Sequence, residues 1–151
     1  MTRNLRILFS LLILLLLDLT KPFGYSLFTE FTFLGIIFIA INYPLQTALI
    51  FGIIFGYFKD AASTTSVSFN IFEFALIVIF IYYFLHNFRK KAAFFFIFYA
   101  ALIIHLMVNN IYIHRVPYFF SLLFLIHSSV AFFLLNYILS PWLKIPQAEN
   151  E

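Results

Sequence analysis

Apolar residues in this chain come in long, nearly unbroken runs, and polar residues gather at the breaks between them. Six runs can be marked. The first, from Leu5 to Leu19, is almost all Leu and Ile and is closed by Lys21, Pro22 and Gly24. The second spans Phe31 to Tyr43 and the third Leu45 to Phe58, divided by Asn42-Tyr43-Pro44. Pro44 disfavours helix at the residue before it. The fourth, Phe69 to Phe88, is a clear span followed by Arg89-Lys90-Lys91. The fifth, Ala92 to Ile113, stops at His114-Arg115-Val116-Pro117, and the sixth, Tyr118 to Leu139, ends at Ser140-Pro141-Trp142. Apolar stretches of this length and polarity predict transmembrane helices. The expected fold class is all-α and integral to a membrane, a compact bundle of about six transmembrane helices. It forms a single domain over residues 1–145, with 146–151 a disordered polar tail.

The second and third runs leave two arrangements open. One continuous helix from Phe31 to Phe58 would measure about 42 Å at ~1.5 Å per residue, longer than a hydrocarbon core of ~30 Å. Taken separately, each run falls short of the usual ~17 residues. Residues 31–58 are therefore either two spans that extend into the interface or a re-entrant hairpin.

Composition supports a lipid environment. Of the 151 residues, 64% are hydrophobic and 10% charged, and 24 are Phe; soluble domains average about 25% charged. The chain has no Cys, which excludes disulfide and thiolate-metal chemistry. Arg3 and Arg6 precede the first run in the manner of a signal peptide. No small-residue cleavage site follows, so a retained first helix is expected. With the N-terminus inside, the cytoplasmic side holds Arg3, Arg6, Arg89, Lys90, Lys91 and Lys144, and the outer side Lys21, Lys59 and Arg115. That asymmetry satisfies the positive-inside rule and puts both termini in the cytoplasm. The net charge of +3 is gathered at segment ends, which suits an anionic lipid surface and gives no support to nucleic-acid binding.

The chemistry is sparse. Gly52, Gly56 and Asp60 recur every four residues and share one helix face, a smooth glycine groove ending in a carboxylate. Small residues at this spacing admit a second helix at close range. Asn70 and Glu73 share a face of the fourth segment, and an ionisable side chain at membrane depth points to a partner or cavity. These five residues form the candidate partner-binding set. On this reading Gly56→Leu abolishes partner co-purification while insertion persists, and Glu73 pairs with Asp60 or Arg115. Asp60 beside Lys59 suits a cap or local ion pair. The hydroxyl-rich loop 61–68 is a turn, with Ser68 capping the fourth helix. Of the four histidines, His105 and His127, together with Asn109, mark a possible polar seam between the fifth and sixth helices. No His pair at metal-ligand spacing, phosphate-binding loop, dinucleotide fingerprint or nucleophile elbow is present. No cofactor, metal or catalytic residue is therefore expected. An enzyme would require Asp60, Glu73, His105 and His127 to converge in space.

The order Tyr43-Pro44, Gly52, Gly56, Asp60, then a hydroxyl-rich loop and a long aromatic helix, resembles the bacterial rod shape-determining MreD family. Gly56-Tyr-Phe-Lys-Asp60 stands where that family carries a Gly-Leu-x-x-Asp-like turn. Val67-Ser68-Phe69 replaces the usual Leu-Gly after the loop. The likeness covers Pro22 to Phe88. It implies a bundle similar to the substrate-binding subunits of energy-coupling-factor vitamin transporters. It further implies a non-catalytic role: binding an MreC-like scaffold protein and organising the complex that synthesises lateral-wall peptidoglycan, with self-association as a further mode. A vitamin-type transport subunit shares that fold and is the alternative function.

Overall fold

The computed structural model describes residues 2–20, 30–62, 69–87, 90–113 and 118–143, with side chains for all of these except 86, 90–93, 109–113 and 118–121. These residues form six helices and no strand: α1 (Arg3–Thr20), α2 (Phe31–Asn42), α3 (Leu45–Ala62), α4 (Phe69–Asn87), α5 (Lys90–Ile113) and α6 (Tyr118–Leu143). The all-helical class and the six elements agree with the apolar runs. Some boundaries lie beyond the apolar runs: α3 continues past Phe58 through Lys59 and Asp60 to Ala62, and α6 continues past Leu139 through Pro141 to Leu143. The tail beyond 143, the 63–68 loop with Ser68, and Arg115 lie outside the described residues.

Contacts between helix ends fix the course of the chain. Asp18, near the end of α1, accepts hydrogen bonds from the start of α2. Lys59, near the end of α3, pairs with Glu30 at the start of α2. Asp60 binds the start of α4. At the opposite end, the Arg3 guanidinium lies 5.3 Å from the centroid of the Tyr43 ring, between α2 and α3. Arg6 Nη1 donates to the Trp142 carbonyl near the end of α6 (3.0 Å). Hence α1, α2, α3 and α4 alternate in direction, and α6 ends where α1 begins. The Pro44 break therefore separates two antiparallel helices of 12 and 18 residues.

The 12-residue α2 is the centre of the fold. Its sequence is apolar on every side, a pattern that suits a helix covered all round. Every residue from Thr32 to Ala40 is buried, with α1, α3, α4 and α6 packed about it. Gly35 allows α1 this close, because a Cβ there would lie 2.6 Å from Leu14 Cδ1 and 2.9 Å from Leu11 Cδ2.

Large apolar side chains also lie on the outer surface. On α4, Phe72, Leu76, Ile79 and Tyr83 form one exposed stripe; on α6, Leu122, Ile126, Val130, Phe133 and Tyr137 form another. Meanwhile Thr32, Glu73, His105 and Ser128 are buried. Judged by length and apolarity alone, one described helical segment suffices to cross a membrane: Leu122–Leu143, with mean hydropathy 2.0.

Candidate functional site

The glycine face is filled from within. A Cβ on Gly56 would lie 2.7 Å from Ile71 Cα and 2.8 Å from the Asn70 carbonyl oxygen and the Ile71 nitrogen, so α4 backbone sits directly against α3. Gly52 is looser: its nearest neighbours would be Val78 Cγ2 at 3.5 Å and the Phe74 carbonyl oxygen at 3.7 Å. The expected docking of a separate protein on Gly52 and Gly56 is therefore corrected. The helix that needed the groove is the chain's own α4, and Gly56→Leu would disrupt the α3–α4 pair itself. Spacing alone reports that a helix approaches, not whose helix it is.

Asp60 completes this hairpin. Its Oδ1 accepts from the Phe69 N–H (3.1 Å), the Asn70 N–H (2.9 Å) and Asn70 Nδ2 (2.7 Å), and its Oδ2 from the Ile71 N–H (3.1 Å). The first N–H groups of a helix lack internal partners, and the helix dipole favours negative charge there. Asp60 thus caps α4 from the preceding helix, and Asn70 holds the same carboxylate. Both serve intramolecular order in this structure, in place of the expected external contact. Asp18 repeats the device: its two oxygens take the N–H groups of Phe31 (2.7 Å) and Thr32 (2.8 Å) at the start of α2.

Because Asp18 supplies that cap, Glu30, the residue preceding α2, makes no cap hydrogen bond with its own side chain. It turns instead to Lys59 and His105. Glu30 pairs with Lys59, and its Oε2 lies 3.4 Å from His105 Nε2. On the other side of the imidazole, Nδ1 lies 2.5 Å from Glu73 Oε1. Phe33 stacks on the His105 ring at 4.1 Å between centroids, and Phe124 of α6 lies near-parallel at 5.5 Å. Lys59 sits 5.5 Å from the Phe74 ring centroid, a cation–π contact. A chain of ionisable groups therefore joins α3, α2, α5 and α4 at the Asp18/Asp60 end of the bundle.

This arrangement corrects two expectations. Glu73 does not pair with Asp60; its partner is His105 of α5, expected in the seam with the sixth helix. The seam of His105, Asn109 and His127 does not form as drawn. His105 faces α2 and α4, and the Asn109 side chain lies outside the described residues. His127 Nδ1 is buried without a hydrogen-bond partner. Among the described residues, Ser129 Oγ and Tyr99 Oη link α6 to α5 at 3.2 Å. Glu30 escaped sequence reading. The available signal was its position, an acid directly before a helix apolar on every side, where its charge must find a partner or leave the interior.

Among the described residues, no group of three or more His, Asp or Glu side chains is placed to hold a metal ion. Of the four residues whose convergence an enzyme would need, only Glu73 and His105 meet; Asp60 is committed to the α4 N-terminus. The chain matches no family model, no curated protein and no solved structure.

Proposed function

We propose that this chain is an integral protein of the bacterial inner membrane and a non-catalytic subunit of the machinery that elongates rod-shaped cells. It binds a membrane-anchored MreC-like scaffold and helps organise lateral-wall peptidoglycan synthesis. The observation that carries this reading is the α3–α4 hairpin. The residues behind the resemblance, Gly56 and Asp60, form one structural device, with glycine admitting the α4 backbone and aspartate capping it.

The surface supports the membrane setting. Apolar stripes face outward while ionisable groups pair inside, the arrangement a bilayer demands. A 12-residue α2 is too short to cross by itself, but it meets protein on all sides and never has to face lipid. Arg3 and Arg6 lie at one end with Trp142 and Tyr43, as residues of a cytoplasmic interface would. The acidic residues support a non-enzymatic role. The chain has six, two of them in the tail, and the other four are occupied: Asp18 and Asp60 on helix N-termini, Glu30 and Glu73 on Lys59 and His105. With its glycine face taken by α4, the chain meets partners through its outward stripes, where association rests on van der Waals packing.

Affinity purification of the tagged chain in mild detergent tests this. The expected result is recovery of the rod-shape scaffold protein encoded in the same genome, together with rounding of cells depleted of the chain. Recovery of an ATPase pair and a bound small molecule, with cell shape unchanged on depletion, would replace this reading with the transport one.

A further inference from the structure

We propose that Glu30, Glu73 and His105 form a proton-binding site that ties α5 to α2 and α4 near one end of the bundle. The inference rests on the geometry of the buried cluster and is independent of the partner assigned above.

Both nitrogens of the His105 ring face carboxylate oxygens, Nδ1 at 2.5 Å from Glu73 Oε1 and Nε2 at 3.4 Å from Glu30 Oε2. A neutral imidazole offers one N–H and one lone pair. Facing two ionised carboxylates, it satisfies one and turns a lone pair towards the other. One additional proton on the ring gives both contacts a donor. The same proton balances charge: two carboxylates carry −2, Lys59 carries +1 and the added proton +1. Without it, a net negative charge remains beside side chains 1% exposed at His105 and 3% at Glu73. Unbalanced charge at such depth is expensive.

From α1, the Asp18 carboxylate lies within electrostatic range of His105 but is held by the Phe31 and Thr32 N–H groups. From α3 comes Lys59, and from α6, among the described residues, the Phe124 ring. Glu30 is also the way in, since its side chain is 31% exposed. A proton arriving on Glu30 passes to His105 Nε2: the Glu30 O–H bond breaks, the Nε2–H bond forms, and the ring becomes an imidazolium with an N–H towards each carboxylate. Losing that proton as the pH rises through the midpoint leaves the cluster repulsive and loosens α5.

The test uses the full chain with 15N-labelled histidine in lipid nanodiscs, followed by NMR from about pH 5 to about pH 10. His105→Gln assigns the His105 ring signals. The expected result is one protonation step at His105, accompanied by faster amide exchange in α5 on the alkaline side. Glu73→Gln removes a negative charge and moves the midpoint at least about one unit down, a tenfold change in proton affinity. Lys59→Met removes a positive charge and moves it up by a similar amount. If Glu73→Gln fails to fold, wild type and Lys59→Met still decide the matter. Ring signals constant over the whole range, or a midpoint unmoved by the charge changes, would overturn the proposal.

Discussion

His105→Leu lowers the stability of the bundle by about 3–5 kcal/mol, the largest effect expected of any single substitution. Removing one partner of a buried charged pair leaves the other uncompensated, and that penalty is of this size. Here the stranded group is Glu73, 3% exposed on its side chain and held at 2.5 Å by the missing imidazole. The Phe33 ring loses its stacking partner as well. The double variant Glu73→Leu/His105→Leu should regain most of the loss, because two apolar side chains of suitable volume can replace a buried pair at little cost. Chemical unfolding in mixed micelles measures both. A single variant as stable as wild type would mean that the Glu73–His105 contact carries no net weight.

Gly56→Ala should cost about 3 kcal/mol, the upper part of the range for forcing atoms into a packed interior. The obstacle is backbone: Ile71 Cα would stand 2.7 Å from the new methyl, and α4 can withdraw only by loosening the Asp60 cap. Gly52→Ala, on the same face one turn earlier, meets its nearest atom at an ordinary 3.5 Å and should cost less than about 1 kcal/mol. The pair is its own control, since composition, helix and face are shared. Equal losses at the two positions would show that α4 does not press on α3 as described.

These expectations show which features local sequence carries. Six apolar runs became six helices, in which the backbone hydrogen bonds close within each segment. The Pro44 break held because proline restrains the residue before it. The glycine spacing correctly announced a close helix approach, and Asp60 proved to be a cap. What local sequence missed were the pairings of particular side chains. Gly52 and Gly56 pair with α4, Glu73 with His105, and Lys59 with Glu30, a residue 29 positions away that no local pattern linked to it. Such pairings depend on which helices become neighbours. An apolar sequence with little periodicity along its helices leaves that choice to tertiary packing. Asp18 is the instructive case: its role matches that of Asp60, yet it is visible only once the start of α2 returns beside the end of α1.

The account rests on an inside-out bundle whose exposed stripes face lipid, and the absence of cysteine makes that directly measurable. Single cysteines placed at Leu76 and Ile126, on the outward stripes, and at Thr2 and Ala61, at opposite ends, are treated in intact cells with a water-soluble maleimide. Leu76 and Ile126 are 59% and 50% exposed in the fold, so in water both would label readily. The account predicts that neither reacts until the protein is denatured, that Ala61→Cys labels from outside, and that Thr2→Cys labels only after the cells are opened. Prompt labelling of Leu76→Cys and Ile126→Cys, at the rate of Ala61→Cys, would contradict it.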